Sequence, residues 1–282
     1  MAQFVKGLNK GGAMGAAENA LTANVDRFKG FAGQYNAVRP RPPLVLLDIL
    51  TQLVGAPGLR LVVDLGSGTG LSTAVWAGRA GDVVGVEPSD DMRREAEREA
   101  PAGVRYVEGY SHTTGLADAS ADIVTASQAL HWMEPTSTFA EVGRILRPGG
   151  VFAAYDVDWP PTVSWQAESA FEVYWESIKA RENAQRSSAG VHSWSKEEHL
   201  GRMAASGQFR YTKEIVVHHV EHGDADRFVG IVLSQGGVAG LLKSGLSPEE
   251  LGLPAFAAAV REAMGDAPVP FYWSYRVRLG VK

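Results

Sequence analysis

Apolar and polar positions along this chain follow two periods, one of strands and one of helices. Short apolar runs at residues 61–63, 82–88, 104–108, 121–126 and 151–155 have the length and branched-residue content of buried strands. Helical spacing follows at 71 onward, 89–100 and 136–146, and precedes the first strand at 44–54. Strand, helix, strand in this order predicts a parallel sheet with helices on both faces. Upstream, residues 18–37 read as a helix, closed by Arg39-Pro40-Arg41-Pro42-Pro43, because proline bars a helix interior and restricts the residue before it. Residues 1–17, rich in Gly and Ala, are expected to fray.

Past residue 158 the regular alternation stops. Residues 159–187 are aromatic-rich and mostly helical, and 195–206 read as a helix with Ser195 and Glu198 as a capping box. Residues 209–219 alternate as a sixth strand, 224–242 and 247–264 are helical, and 269–281 form a closing strand. The expected organisation is an N-terminal helical segment (1–55), a core (56–158, 207–223 and 268–282), and a helical lid (159–206 and 224–267).

The first strand ends in Asp64-Leu65-Gly66-Ser67-Gly68-Thr69-Gly70. Glycines here permit backbone conformations closed to other residues and let a ligand approach the main chain. A dinucleotide fingerprint needs its third glycine at 71 or 73, where Leu71 and Thr73 stand. A phosphate-binding loop needs a lysine, and Gly70-Leu71-Ser72 has none. The second strand ends in Glu87-Pro88, roughly 20 residues beyond the turn, where a carboxylate can accept from both hydroxyls of a ribose.

The Asp-x-Gly-x-Gly-x-Gly turn closely resembles motif I of class I S-adenosylmethionine (SAM)-dependent methyltransferases, and the Arg147-Pro148-Gly149-Gly150 turn before strand five is a second likeness. The resemblance covers about half the chain. It implies a Rossmann-like seven-stranded sheet with helices on both faces and a helical lid, and SAM as cofactor. Its implied cofactor contacts are Asp64, Gly66, Ser67, Gly68, Gly70, Glu87, Pro88, Met92, Tyr110, Ser111, Gln128 and Arg39. Met92 would pack on the adenine. Gly109-Tyr110-Ser111 departs from the Gly-Asp-Ala of many relatives, so Ser111 would replace the missing acid at the adenine amino group.

Composition narrows the partners. With 282 residues and 45% hydrophobic content, the chain has enough for one large core plus a cap. A formal net charge of −5 offers no electrostatic footprint for nucleic acid. Cysteine is absent, which excludes disulfides and thiolate metal sites. No apolar run reaches membrane-spanning length. A small-molecule substrate, a cytoplasmic location and a monomer or homodimer are expected. His218-His219-x-x-His222 lacks the acids and geometry of a metal site, since neighbours on a strand face opposite ways, and no metal is expected.

Methyl transfer from a sulfonium needs alignment above all, and a base only where the acceptor loses a proton. His131, just past strand four, has an unperturbed pKa of about 6.5 and is read as that base; the other reading is a histidine packed beside Trp132. Tyr35-Asn36-Ala37-Val38-Arg39-Pro40 resembles the entry of the trans-aconitate methyltransferase-like branch, whose members also carry His-Trp after strand four. Tyr35 would assist His131, and Arg39 would bind the SAM carboxylate or an acidic substrate. Trp132, Asp156, Trp159, Trp175, Trp194 and Phe228 are read as acceptor contacts, the aromatic ones as a lid wall or as core. The acceptor is an electron-rich ring methylated at carbon, with a weak likeness to bacterial indole C-methyltransferases of specialised metabolism, or the carboxylate of a small organic acid. A non-catalytic SAM-binding scaffold or sensor is the third reading.

Overall fold

The amphipathic stretch Leu44–Val54 (α1) buries Leu46, Leu47, Leu50 and Val54 on one side, and Gly55 ends it in the left-handed region at φ 64°. The computed structural model describes residues 36, 38–189 and 192–282, except the side chains of 184–189. The expected fraying over 1–17 and nearly all of the helix expected at 18–37 lie outside the described residues.

Seven strands form one sheet: β1 (Leu59–Leu65), β2 (Ala80–Val86), β3 (Val104–Val107), β4 (Ala121–Ser127), β5 (Leu146–Val157), β6 (Tyr211–Gly223) and β7 (Val269–Val281). Their order is β3-β2-β1-β4-β5-β7-β6. The first five are parallel, and β7 runs antiparallel to both β5 and β6. Between them run α2 (Leu71–Ala74), α3 (Asp90–Arg98), a 3₁₀ turn (Leu130–Trp132), α4 (Pro135–Ile145), α5 (Trp165–Ala189), α6 (His199–Ala205), α7 (Ala225–Leu233), α8 (Gly236–Lys243) and α9 (Leu253–Met264). This is the Rossmann-like fold expected from the strand pattern.

Strands β1, β2, β4 and β5 are buried on both faces over most of their length, which explains their continuous apolar runs. Val62, Val83, Ile123 and Ala153 pack on one face with α1, α5 and α7 to α9. Val63, Val84, Val124 and Phe152 pack on the other with Phe139 of α4 and Met203 of α6. Phe139, Phe152 and Phe209 meet there as three rings with centroids 5.8–6.1 Å apart. Strand order reverses at β1 and β4, so the crevice at their carboxyl ends is where a ligand is received in such sheets.

Four expectations change in detail. The helix expected over 224–242 is two, α7 and α8. The Ser234 hydroxyl turns back to the Ile231 carbonyl, and Gln235 is extended at φ −71°, ψ 133°. Residues 247–252 form turns in which Ser247 and Glu250 bond each other reciprocally, so the last helix starts only at Leu253. The capping box at Ser195 is not formed: its hydroxyl bonds Glu197, Glu198 pairs with Arg202, and α6 begins at His199. Strand five runs longer at both ends, Leu146 pairing with Ala121 of β4 and Val157 with Tyr275 of β7, and strand six starts later and extends to Gly223 along β7.

Candidate active site

The turn after β1 is shaped by two constraints. Gly66, Gly68 and Gly70 all have positive φ, at 63°, 55° and 87°. At Gly66 a Cβ would also stand 2.9 Å from Ala129 Cβ and from Met133 Cε, whereas the space above Gly68 is open within 4 Å. The Gly66 and Ser67 amides both donate to the Val86 carbonyl, tying the turn to β2.

Asp64 does not face the cavity above this turn. It is fully buried, with Oδ2 accepting from the Ser72 and Thr73 hydroxyls at 2.7 Å and Oδ1 from the Thr125 hydroxyl at 2.7 Å. Burial raises its pKa, and the three hydroxyls only partly offset that. These three bonds make it a brace joining β1, α2 and β4. Gly70 is likewise off the cavity wall, since it turns the chain into α2 against Tyr106.

Glu87 is the acid that faces the cavity. Its Oε2 accepts from the Gly68 amide and its Oε1 from the Ser89 amide, both at 2.9 Å. Burial raises its pKa despite these two donors. A carboxylate has about four acceptor sites, so each oxygen keeps capacity for a ligand hydroxyl. The Ser67 and Ser89 hydroxyls are buried beside it with no partner among the described residues. An open glycine cradle, an acid with spare acceptors and orphaned hydroxyls fit a nucleoside-bearing cofactor such as SAM. Met92, Pro88, Tyr110 and Ser111 line the same cavity. The Ser111 hydroxyl is taken by Thr138 at 2.8 Å, which leaves its main chain for the adenine role expected of it.

The opposite wall consists of Arg39, Pro40, Pro42, Gln128, Ala129, Trp132 and Met133. Arg39 donates from Nε to the Ser234 hydroxyl at 2.8 Å and from Nη2 to the Ser234 carbonyl at 2.9 Å, and it lies over the Trp159 ring at 4.8 Å. Gln128 holds φ 53°, unusual for a residue with a side chain, and its amide bonds the Tyr155 carbonyl at 2.8 Å. Ala129 and Met133 had no motif to announce them; their signal was only closeness in sequence to His131.

His131 is not on that wall. Its ring lies beside Trp132, centroid to centroid 4.6 Å, with Nδ1 3.8 Å from Asp156 Oδ1. Asp156 is buried and pairs with Lys196 Nζ at 2.7 Å and Arg278 Nη1 at 3.0 Å. Burial pushes its pKa up, but Lys196, His131 and Arg278 outweigh that and hold it below the usual carboxylate range. Asp156 is thus a buried ion-pair partner rather than a wall residue. Tyr35 lies outside the described residues.

Among the expected aromatic wall residues only Trp132 lines the cavity. Phe228 is buried edge-on to Phe171 and Phe271, Trp175 stacks on Phe171, and Trp159 meets Trp273 edge-on. Trp194 packs on His192 and donates its amide to the His131 carbonyl at 2.9 Å. β7 presents Phe271 and Trp273 inward, where Phe228 and Trp159 meet them edge-on.

Among the described residues, no helix is long and apolar enough to cross a membrane. Residues 63–154 match a family described as a methyltransferase domain. An uncharacterized methyltransferase of Mycobacterium tuberculosis is 37% identical over 123 residues, 44% of this chain and 49% of that protein. A Saccharomyces cerevisiae protein named for S-adenosylmethionine-dependent methyl transfer is 30% identical over 150 residues, 51% of this chain and 50% of that one. The chain spans about half the length of these curated relatives. A solved structure from Anaeromyxobacter dehalogenans, named as a type II methyltransferase, superposes with a TM-score of 0.65 at 26% identity, covering 86% of this chain and 97% of that one. Residues 63–154 thus resemble a methyltransferase domain, and over most of its length the chain shares the fold of that solved neighbour, with the glycine turn and the strand-end acid at the carboxyl ends of β1 and β2.

Proposed function

We propose that the protein methylates a small, neutral, electron-rich aromatic acceptor, of which an indole is the type, and that His131 takes up the proton the acceptor loses. One observation carries this reading: among the described residues, the charged side chains on the cavity wall are Glu87 and Arg39 alone. Glu87 is suited to the cofactor's ribose, and Arg39 is held by Ser234 and Gln235 and stacked on Trp159. A polycarboxylate acceptor would call for cations that this wall does not supply. Trp132, Met133, Ala129 and the two prolines instead suit a flat apolar ring, with the Gln128 amide as a neutral polar handle.

Bound SAM supplies a methyl group on a cationic sulfur, open to in-line displacement. The chain's part is then to hold the two reactants in line and exclude water. Attack through C3 of an indole leaves the ring nitrogen with a proton to lose. The His131 ring lies next to the Trp132 ring, and the anion on its Nδ1 side favours the tautomer with the proton on Nδ1 and the lone pair on Nε2.

Transfer of label from methyl-tritiated SAM is the test, with indole and trans-aconitate offered in parallel. Label in indole, reduced about 10²–10⁴-fold in His131→Ala, is the expected result. Label in the carboxylic acid alone would overturn the aromatic reading. SAM binding without transfer to either, or to a wider panel of neutral aromatic compounds, would favour a scaffold.

A further inference from the structure

The side chains behind His131 form a continuous chain of charges across β5, β7 and β6. Asp156 of β5 binds Arg278 of β7 at 3.0 Å, and Arg278 Nε binds Glu214 of β6 at 2.9 Å. Arg276, two residues along β7 on the same face, bridges Glu214 and Asp158 at 3.1 and 3.0 Å. Asp156 and Arg278 are both buried, at 5% and 3% exposure. Removing a charged pair from water costs several kcal/mol per ion unless its partners are well placed. Part of this network faces His131.

Two contacts join one loop, residues 192–198, to the His131 turn. The Trp194 amide bonds the His131 carbonyl at 2.9 Å, and Lys196 Nζ reaches Asp156 Oδ1 at 2.7 Å. That same oxygen is the one 3.8 Å from His131 Nδ1, an ion-pair distance and not a hydrogen bond. Lys196 and His131 therefore share one carboxylate oxygen, and the lysine holds the shorter contact.

We infer that Asp156 is a positioning residue for His131, fixing its ring as the Nδ1–H form, and that Lys196 sets how much of the Asp156 charge His131 feels. The inference rests on the proposed base role for its catalytic meaning, though not for its geometry. Among the described residues, the charged and titratable groups around this point are Asp156 of β5, Asp158 just past its end, Arg278 of β7, Lys196 and Glu197 of the loop, and His199 and Arg202 of α6. Asp158 is engaged by Arg276, Glu197 by Ser195, and Arg202 by Glu198. Burial keeps His199 neutral down to about 4, so it adds no charge near neutral pH. Among the described residues, Asp156 faces His131 Nδ1, and the cations Lys196 and Arg278 pair with that same carboxylate.

The test is a nuclear magnetic resonance titration of the full chain, labelled with ¹⁵N-histidine and saturated with S-adenosylhomocysteine. His131 is identified by its missing signals in His131→Gln. The neutral ring should be the Nδ1–H form. Asp156→Asn should lower the His131 titration midpoint by about 1–3 units, Asp156→Glu should restore most of it, and Lys196→Met should raise it. If the asparagine variant does not fold, Lys196→Met decides alone, because Lys196 is partly exposed and its loss leaves Asp156 paired with Arg278. An Nε2–H ring, an unmoved midpoint in Lys196→Met, or shifts of the same sign in both variants would overturn the inference. Midpoints that move as stated while the pH profile of turnover stays put uphold Asp156 as the positioning residue and remove His131 as the base.

Discussion

The Gly68 amide donates to Glu87 Oε2 at 2.9 Å, so the turn after β1 and the end of β2 are joined by a carboxylate that faces the cavity. The contact makes Glu87 part of the glycine turn's own hydrogen bonding, so a change at Glu87 reaches the turn as well as the cavity.

Glu87→Ala should weaken SAM binding by about 1.5–3 kcal/mol through two lost charge-assisted hydrogen bonds, or roughly 10–150-fold. Burial raises the Glu87 pKa. Wild-type affinity should accordingly begin to fall on acidification at a higher pH than an ordinary glutamate would give. Calorimetric titration with SAM across pH measures both, and unchanged affinity in the alanine variant refutes the ribose assignment.

Gln128 holds left-handed backbone at the cavity wall, a conformation costing roughly 1–2 kcal/mol for a residue with a Cβ and little for glycine. Gln128→Gly should leave thermal stability level or raise it, the relief of strain offsetting glycine's greater unfolded-state freedom. The acceptor KM should rise while SAM affinity holds. A clear drop in melting temperature would show that the amide is structural.

Trp132 and Phe228 were equivalent expectations from sequence and should now separate. Phe228→Ala empties a fully enclosed site and should cost about 3–5 kcal/mol in denaturant unfolding, with little change in acceptor KM. Trp132→Ala should raise acceptor KM with a smaller loss of stability. Reversed effects would move the acceptor wall to the α5–α7 side.

His199 is completely buried, and neither ring nitrogen has a hydrogen-bond partner among the described residues. Burial lowers its pKa to about 4, whereas the unfolded chain takes its proton near 6.5. The contribution is therefore full above the unfolded value and is lost as pH falls from there toward about 4, reaching about 3 kcal/mol at the lower limit. His199→Leu should flatten that part of the stability profile, as measured by urea unfolding at stepped pH. An unaltered acid limb would assign the loss to other groups.

What could be read from the amino-acid order alone was whatever depends on neighbours in the chain. The apolar runs, the glycines forced to positive φ, the acid ending β2 and the proline break before α1 are local, because backbone preference and side-chain period act over a few residues. Those signals were enough for the seven strands, the sheet class and the cofactor cradle. The uses of individual side chains were decided elsewhere. Asp64 is held as a brace partly by Thr125, a donor on the neighbouring strand. Phe228 and Trp159 meet rings of β7, at the far end of the chain. The Asp156 network joins residues 40 and 122 positions apart. Burial and long-range pairing alone fix a side chain's partners and its charge, and both exist only once the sheet has brought distant segments together.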